Sequence, residues 1–324
     1  MPASGLPPNV RGTVVTVGTF DGVHRGHQDV LARLVAKGAR ESLPAIAVTF
    51  DVHPLEVVRP AAAPPLLTVA DEKIEVLAES GIDYLAMLPF TKALAAYPAE
   101  RFVDEILCAR FRMRSLLIGH DHGFGRDRGG DVEVLKVLGA LRGFEVEVVP
   151  AVALGGGGAI SSTAIREAVA AGDLPAARDG LGRPYSLSAR VIHGAKRGRL
   201  LGYPTINLSP PPTRKLLPPE GVYAVRVATP SGEFGGMMNL GARPTFADAE
   251  RSLEAHLFDV SGNWYDARVR VEFVARLRDT QKFDGRTALV AQLELDATAA
   301  RTALTAFGDR RNLHGFSRPT TRSP

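Results

Sequence analysis

The sequence predicts an α/β fold in two parts: a parallel sheet with alternating helices, then an antiparallel β-barrel closed by a C-terminal helix. Two observations carry this. Up to about residue 180, short apolar runs alternate with segments whose apolar residues recur at helical spacing, as in buried parallel strands joined by crossover helices. From Tyr185 onward, strand-like runs follow one another across Gly/Pro/Asp-rich turns, and helical periods are scarce until Arg286. With 324 residues the chain can build two separate cores, and an apolar content of 45% excludes a disordered protein.

In order, 13–17 reads as a strand, 28–41 as a helix and 45–50 as a second strand, followed by a proline- and alanine-rich loop over 54–65. Helices are then expected over 71–80, 100–111, 132–142 and 162–171, and strands over 84–88, 115–118 and 145–149. The second part offers strands at 188–193, 222–228, 235–239, 252–258 and 268–275, and a helix over 286–307. The expected domains are 1–184 and 185–309, with a flexible polar tail over 310–324.

Thirty-nine basic and 35 acidic residues leave a net charge of +4. The basic residues are dispersed, so no nucleic-acid footprint is present; the mild excess suits a small anionic ligand and equally an ordinary solvated surface. The single cysteine, Cys108, excludes an intrachain disulfide and falls in the apolar pattern of Phe102, Val103, Ile106, Leu107 and Phe111, the place of a core residue. The first twelve residues lack the apolar centre of a signal peptide, and no apolar run could cross a bilayer. The expectation is a cytoplasmic protein with small-molecule substrates, no membrane or nucleic-acid partner, and a monomeric or weakly homo-oligomeric state.

Residues 18–27 read GTFDGVHRGH and join the first strand to the first helix. A helix N-terminus presents free N–H groups and partial positive charge, which attract phosphate. Gly18, Gly22 and Gly26 permit close backbone approach or positive φ, and His24 and His27 can donate hydrogen bonds to phosphate oxygens. The His-x-x-His pair could also be half a metal site, but no cysteine or third ligand stands nearby at a zinc spacing. Further on, 160–166 read ISSTAIR at the start of a helix. Ser161 or Ser162 can serve as a cap; together Ser162, Thr163 and Arg166 can form a phosphate clamp.

In the second part, Gly194, Lys196, Gly198 and their basic neighbours suit a phosphate-hugging turn, and an ordinary basic hairpin is the plainer alternative. Thr205 and Asn207 alternate along an extended segment and so project to one face, where their oxygens suit Mg²⁺.

These strings resemble known families. GTFDGVHRGH and ISSTAIR are similar to the paired motifs of the nucleotidylyltransferases and, in the longer form, of bacterial FAD synthetases. The resemblance implies a Rossmann-like sheet in which the phosphate of FMN attacks the α-phosphorus of ATP. Gly18, Phe20, Asp21, Gly26, Ser162, Thr163 and Arg166 would then meet ATP and its phosphates, with His24 and His27 as catalytic groups. TFDVHP at 49–54 resembles a TFxPHP element, and GHDHGFG at 119–125 departs from the family's more aromatic string; the resemblance makes Phe50 and Asp121 flavin contacts, although Phe50 could equally be core.

PTIN at 204–207 resembles the PTAN hallmark of riboflavin kinases, with isoleucine in place of alanine, and Ala195 stands where many relatives carry an acid. By that resemblance Glu254 is the general base toward a ribityl hydroxyl, Arg278 meets flavin, and Thr205 and Asn207 hold Mg²⁺. A solvent-facing glutamate on a barrel strand is the plain alternative for Glu254. The family implied is the bacterial bifunctional riboflavin kinase/FMN adenylyltransferases, with ATP, riboflavin, FMN and FAD as substrates or products. A transferase for another acceptor whose barrel only binds, and a flavin-binding regulator without turnover, stand as alternatives.

Overall fold

A computed structural model describes residues 6–120, 123–126, 129–152, 160–194, 197–242 and 251–313. The strands β1 (Thr13–Val17) and β2 (Ala45–Phe50) are buried at every position. Such runs, without polar alternation, require a sheet covered on both faces. Between and after them come α1 (Arg25–Glu41), α2 (Pro54–Val58), α3 (Ala70–Ala78), β3 (Tyr84–Leu88), α4 (Lys92–Ala95) and α5 (Ala99–Arg101), the last continuing as a π-helix over Phe102–Arg110. Then come β4 (Met113–Gly119), α6 (Val132–Arg142), β5 (Glu145–Val149), α7 (Ser162–Ala171) and α8 (Leu174–Leu181).

The sheet is five-stranded and parallel, in the order β3-β2-β1-β4-β5. Successive residues point to opposite faces. Val14, Ala45, Ala47 and Leu117 therefore pack on Leu31 and Leu34 of α1 and Val76 and Leu77 of α3. Val15, Val17, Ile46, Val48, Leu116 and Ile118 join the opposite layer with Leu107, Leu135 and Leu138. Cys108 packs against that layer, and burial pushes its thiol pKa up, which suits a core residue better than a nucleophile. The chain runs outward from β1 through β2 and β3, then returns to β4 on the other side. The carboxyl ends of β1 and β4 thus flank the switch point where such sheets bind ligands.

The second part follows the antiparallel expectation. It comprises β6 (Tyr185–Ile192), α9 (Arg197–Leu200), β7 (Ile206–Leu208), β8 (Gly221–Thr229), β9 (Gly232–Ala242), β10 (Arg251–Leu257), β11 (Arg268–Arg278) and α10 (Arg286–Leu313). The strands close a barrel in the order β10-β7-β6-β11-β8-β9, each pair antiparallel. β8 is buried on both faces from Gly221 to Val225. One face belongs to the barrel interior, and α10 covers the other, packing Leu293, Ala297, Ala300 and Leu304 with Ala224, Met237 and Phe258.

Local differences from the sequence reading have physical causes. Helix α1 starts three residues early, at Arg25, because His24 acts as its N-cap. The expected loop over 54–65 contains α2, set by Pro54 in the first turn and a capping box between His53 and Glu56; five residues are too few to show a helical period. Helix α10 runs on to Leu313 rather than ending at 307. The chain divides into two units: Met1–Arg166 with Gly180–Gly182 and Arg214–Leu216, and Glu167–Asp179 with Arg183–Thr213 and Leu217–Pro324.

Candidate functional site

In the first unit the segment after β1 turns through three residues at positive φ, Phe20 (47°), Gly22 (79°) and Val23 (41°). A β-branched residue there is strained, and burial of Phe20 and Val23 holds it in place. The turn delivers His24 to the N-cap of α1, where its Nδ1 lies 3.4 Å from the His27 N–H. The two imidazoles stack with centroids 3.7 Å apart, and the Phe20 ring meets His27 edge-on. A Cβ on Gly26 would stand 3.2 Å from the His24 ring, a tight contact that glycine avoids. Both rings therefore sit at the positive end of α1.

Asp21 is buried and turned inward. Its carboxylate accepts hydrogen bonds from the Leu67 amide (3.2 Å), the Thr68 amide (2.9 Å), the Thr68 hydroxyl (3.3 Å) and the Arg166 guanidinium (2.7 Å). Each oxygen has two donors, which fills its acceptor capacity. The residue assigned by resemblance to ATP thus spends its charge on Arg166. On α7, Ser161 caps the helix, accepting from the Ala164 N–H at 3.2 Å. Ser162 Oγ instead donates to the Asp21 carbonyl at 3.1 Å, and Thr163 is exposed. Arg166 also donates from Nε to the Pro65 carbonyl, while its Nη1 makes no hydrogen bond with the described residues. Residues 18–27 and the start of α7, about 140 positions apart, therefore share one locus.

Of the further residues at this locus, His53 belongs to the TFDVHP string, whereas Lys73 and Lys215 carried no signal in the sequence. Lys73 of α3 is buried and donates to the Phe50 carbonyl (2.8 Å), the Thr19 carbonyl (3.1 Å) and Thr49 Oγ1 (3.4 Å). His53 caps α2, and burial lowers its pKa from the ordinary histidine value. Lys215 belongs to the short stretch that joins this unit from late in the chain; its Nζ lies 2.7 Å from both the Leu67 carbonyl and Glu72 Oε2. Thr19, Asp21, Asp51, His53, Leu66, Thr68, Ala70 and Lys73 line a recess. Phe50 is buried with its ring edge-on to Phe90, so part of it serves the core. Gly18 lies against the Phe20 ring. Asp121 lies outside the described residues, as does Lys196 of the second unit.

In the second unit Asn207 on β7 is the register partner of Glu254 on β10, and Glu254 of Asn239 on β9. Register partners in neighbouring strands share a face, so the three form a polar row across the barrel. Asn239 opens the string NLGARPTF, part of the same family resemblance, but the sequence reading assigns it no role of its own. Glu254 Oε1 accepts from Ser252 Oγ at 2.9 Å. A Cβ on Gly194 would fall 2.2 Å from Asn207 Nδ2, so the amide occupies the space that a side chain at 194 would take. A Cβ on Gly198 would likewise run into the Tyr203 carbonyl, and Thr205 lies just beyond in sequence. Arg278, expected to meet flavin, pairs through two nitrogens with Asp296 on α10 and lies over the Phe283 ring. Phe283 lines an apolar groove with Leu200, Leu201, Gly285, Arg286 and Leu289.

Fold and site together define a class: an α/β nucleotidyltransferase unit and a barrel of kinase type in one chain. The comparisons agree. Residues 6–164 match the family model for FAD synthetase, and 181–304 match that for riboflavin kinase. The bifunctional riboflavin kinase/FMN adenylyltransferase of Escherichia coli (strain K12) is 39% identical over 90% of this chain and 92% of its own. That of Pseudomonas fluorescens is 40% identical over 91% and 94%. A crystal structure described as a macrolide-efflux protein from Streptococcus pneumoniae superposes with a TM-score of 0.81 at 31% identity, covering 92% of this chain and 96% of that one. Among the described residues no helix is long and apolar enough to cross a membrane. The chain belongs to the bifunctional riboflavin kinase/FMN adenylyltransferase family.

Two outcomes follow from the packing. Asp21→Ala removes the acceptor of two buried amides and the partner of Arg166; urea denaturation should show a loss of about 3–5 kcal/mol. Gly194→Ala should displace Asn207 and lower riboflavin phosphorylation by about tenfold or more, measured by FMN formation, while conversion of FMN to FAD continues.

Proposed function

We propose that the first unit transfers AMP from ATP to FMN and that the second phosphorylates riboflavin, so that the chain makes FMN and then FAD. The observation that carries the first assignment is the meeting of residues 18–27 with the start of α7 through Asp21. In that reading an FMN phosphate oxygen attacks the α-phosphorus of ATP in line, and the bond to pyrophosphate breaks. The phosphate is already anionic, so no strong base is required. His24 and His27 donate hydrogen bonds to the oxygens of the transferring group at the end of α1. Thr163 and the Nη1 of Arg166 grip the ATP phosphates, and Asp21 acts through Arg166 by fixing its plane. Gly18, Phe20, Gly26 and Ser162 shape this cradle, and Phe50 bounds the flavin side.

In the barrel, Glu254 takes the proton of a ribityl hydroxyl as that oxygen attacks the γ-phosphorus of ATP and ADP departs. Gly194 and Gly198 shape the phosphate turn, to which Lys196 lends charge. Thr205 and Asn207 supply a hydroxyl and an amide oxygen, hard neutral donors of the kind Mg²⁺ takes beside phosphate oxygens and water. The space kept open at Gly194 lets the Asn207 amide reach that position. Bound there with ATP, Mg²⁺ would neutralise charge on the phosphates. The groove at Leu200, Leu201, Phe283 and Leu289 suits a planar ring, with Arg278 setting Phe283 at its edge. The dispersed charge and single cysteine support a cytoplasmic enzyme of small molecules, monomeric or weakly associated, without nucleic-acid partners. The domains of the sequence reading, 1–184 and 185–309, carry one reaction each.

Separating the two reactions tests the assignment. Glu254→Ala should abolish FMN formation from riboflavin and leave FMN adenylylation measurable by chromatography. His27→Ala should do the reverse, with adenylylation down by about 10²–10³. Loss of phosphorylation alone in the His27 variant contradicts the assignment.

A further inference from the structure

We propose that Lys73 is a positioning residue for adenylyl transfer, its ammonium tying the segment after β1 to the end of β2. The inference rests on adenylyl transfer belonging to the first unit. Lys73 stands in the first turns of α3, whose N-terminal amide at Val69 is satisfied by Glu72. Its side chain reaches away from the helix to the carboxyl edge of the sheet. There the nitrogen meets the carbonyls of Thr19 and Phe50 and the hydroxyl of Thr49, three acceptors for three N–H groups. Thr49 Oγ1 in turn donates to the Thr19 carbonyl at 3.2 Å.

The placement matters because of what those acceptors precede. Thr19 leads directly into the strained turn of Phe20 and Val23 that presents His24 and His27. Phe50 closes β2 and leads into Asp51 and His53, which line the same recess as Lys73. One ammonium therefore fixes the separation between the histidine segment and the segment that bounds the recess on its other side. Its partners are neutral oxygens rather than a carboxylate, and it is 7% exposed. Burial lowers its pKa, against the raising influence of Asp21, Asp51 and Glu56. A charge held this way costs solvation that an apolar side chain of the same length would not. Stability gives the fold little reason to have a lysine here; placement of two loops does.

Lys73→Met tests this, with initial rates of FAD formation from FMN and ATP, riboflavin phosphorylation and the thermal midpoint measured on the full chain. The expected result is a fall of about tenfold or more in adenylylation, greater in kcat than in the KM for ATP. Riboflavin phosphorylation should persist, and the midpoint should be unchanged or higher. Adenylylation within twofold of the parent overturns the proposal. So does a loss that tracks a lowered midpoint or an unfolded variant, since the lysine would then serve stability alone. A parent chain that forms no FAD from FMN overturns the underlying reading, and the proposal with it.

Discussion

Both oxygens of the Asp21 carboxylate are filled by donors from two distant stretches of chain, the amides and hydroxyl at 67–68 and the guanidinium of Arg166. The first unit organises its site around this group. A buried carboxylate without partners would be costly, so the fold must bring α7 and the 66–68 stretch to the turn after β1. The same contact fixes the plane of Arg166 and, through the Asp21 carbonyl, the hydroxyl of Ser162. Ser162 and Arg166 on α7 and the histidines at the start of α1 are thereby registered to one another.

The surrounding residues stiffen that registration. Lys215 ties the Leu67 carbonyl to Glu72 and so fastens the stretch that donates to Asp21. Gly22 turns at positive φ with its α-carbon facing Leu67, where a Cβ would come within 2.8 Å. The strained residue Val23 immediately precedes His24. The barrel solves its version of the problem differently. Its polar row is set by strand register, and closure of the barrel fixes that register.

Periodicity made the architecture readable in advance. The strands at 13–17, 45–50, 84–88 and 145–149 and the helices at 132–142 and 162–171 stand where apolar spacing put them. Short elements escaped, because α2, α8 and α9 have too few turns for a period and depend on caps or packing. In the site, histidines, glycines and hydroxyls were visible as strings. Lys73 and Lys215 were not: a lone lysine reads as solvated surface until tertiary structure supplies carbonyls 50 or 150 positions away. The inward turn of Asp21 was invisible for the same reason. An aspartate beside a phosphate-binding string suggests a ligand contact, and only the tertiary structure reveals its ion pair with Arg166.

In the proposed reading, the family's paired activities divide between a barrel row with a carboxylate for a neutral alcohol and an α/β cradle for an acceptor already anionic. The most direct measurement is a time course of the purified chain with riboflavin, ATP and Mg²⁺, resolving riboflavin, FMN and FAD. The account predicts that FMN forms first with ADP, and that FAD follows with pyrophosphate. Riboflavin bound but unchanged, or FMN that accumulates with no FAD at any time, would contradict it.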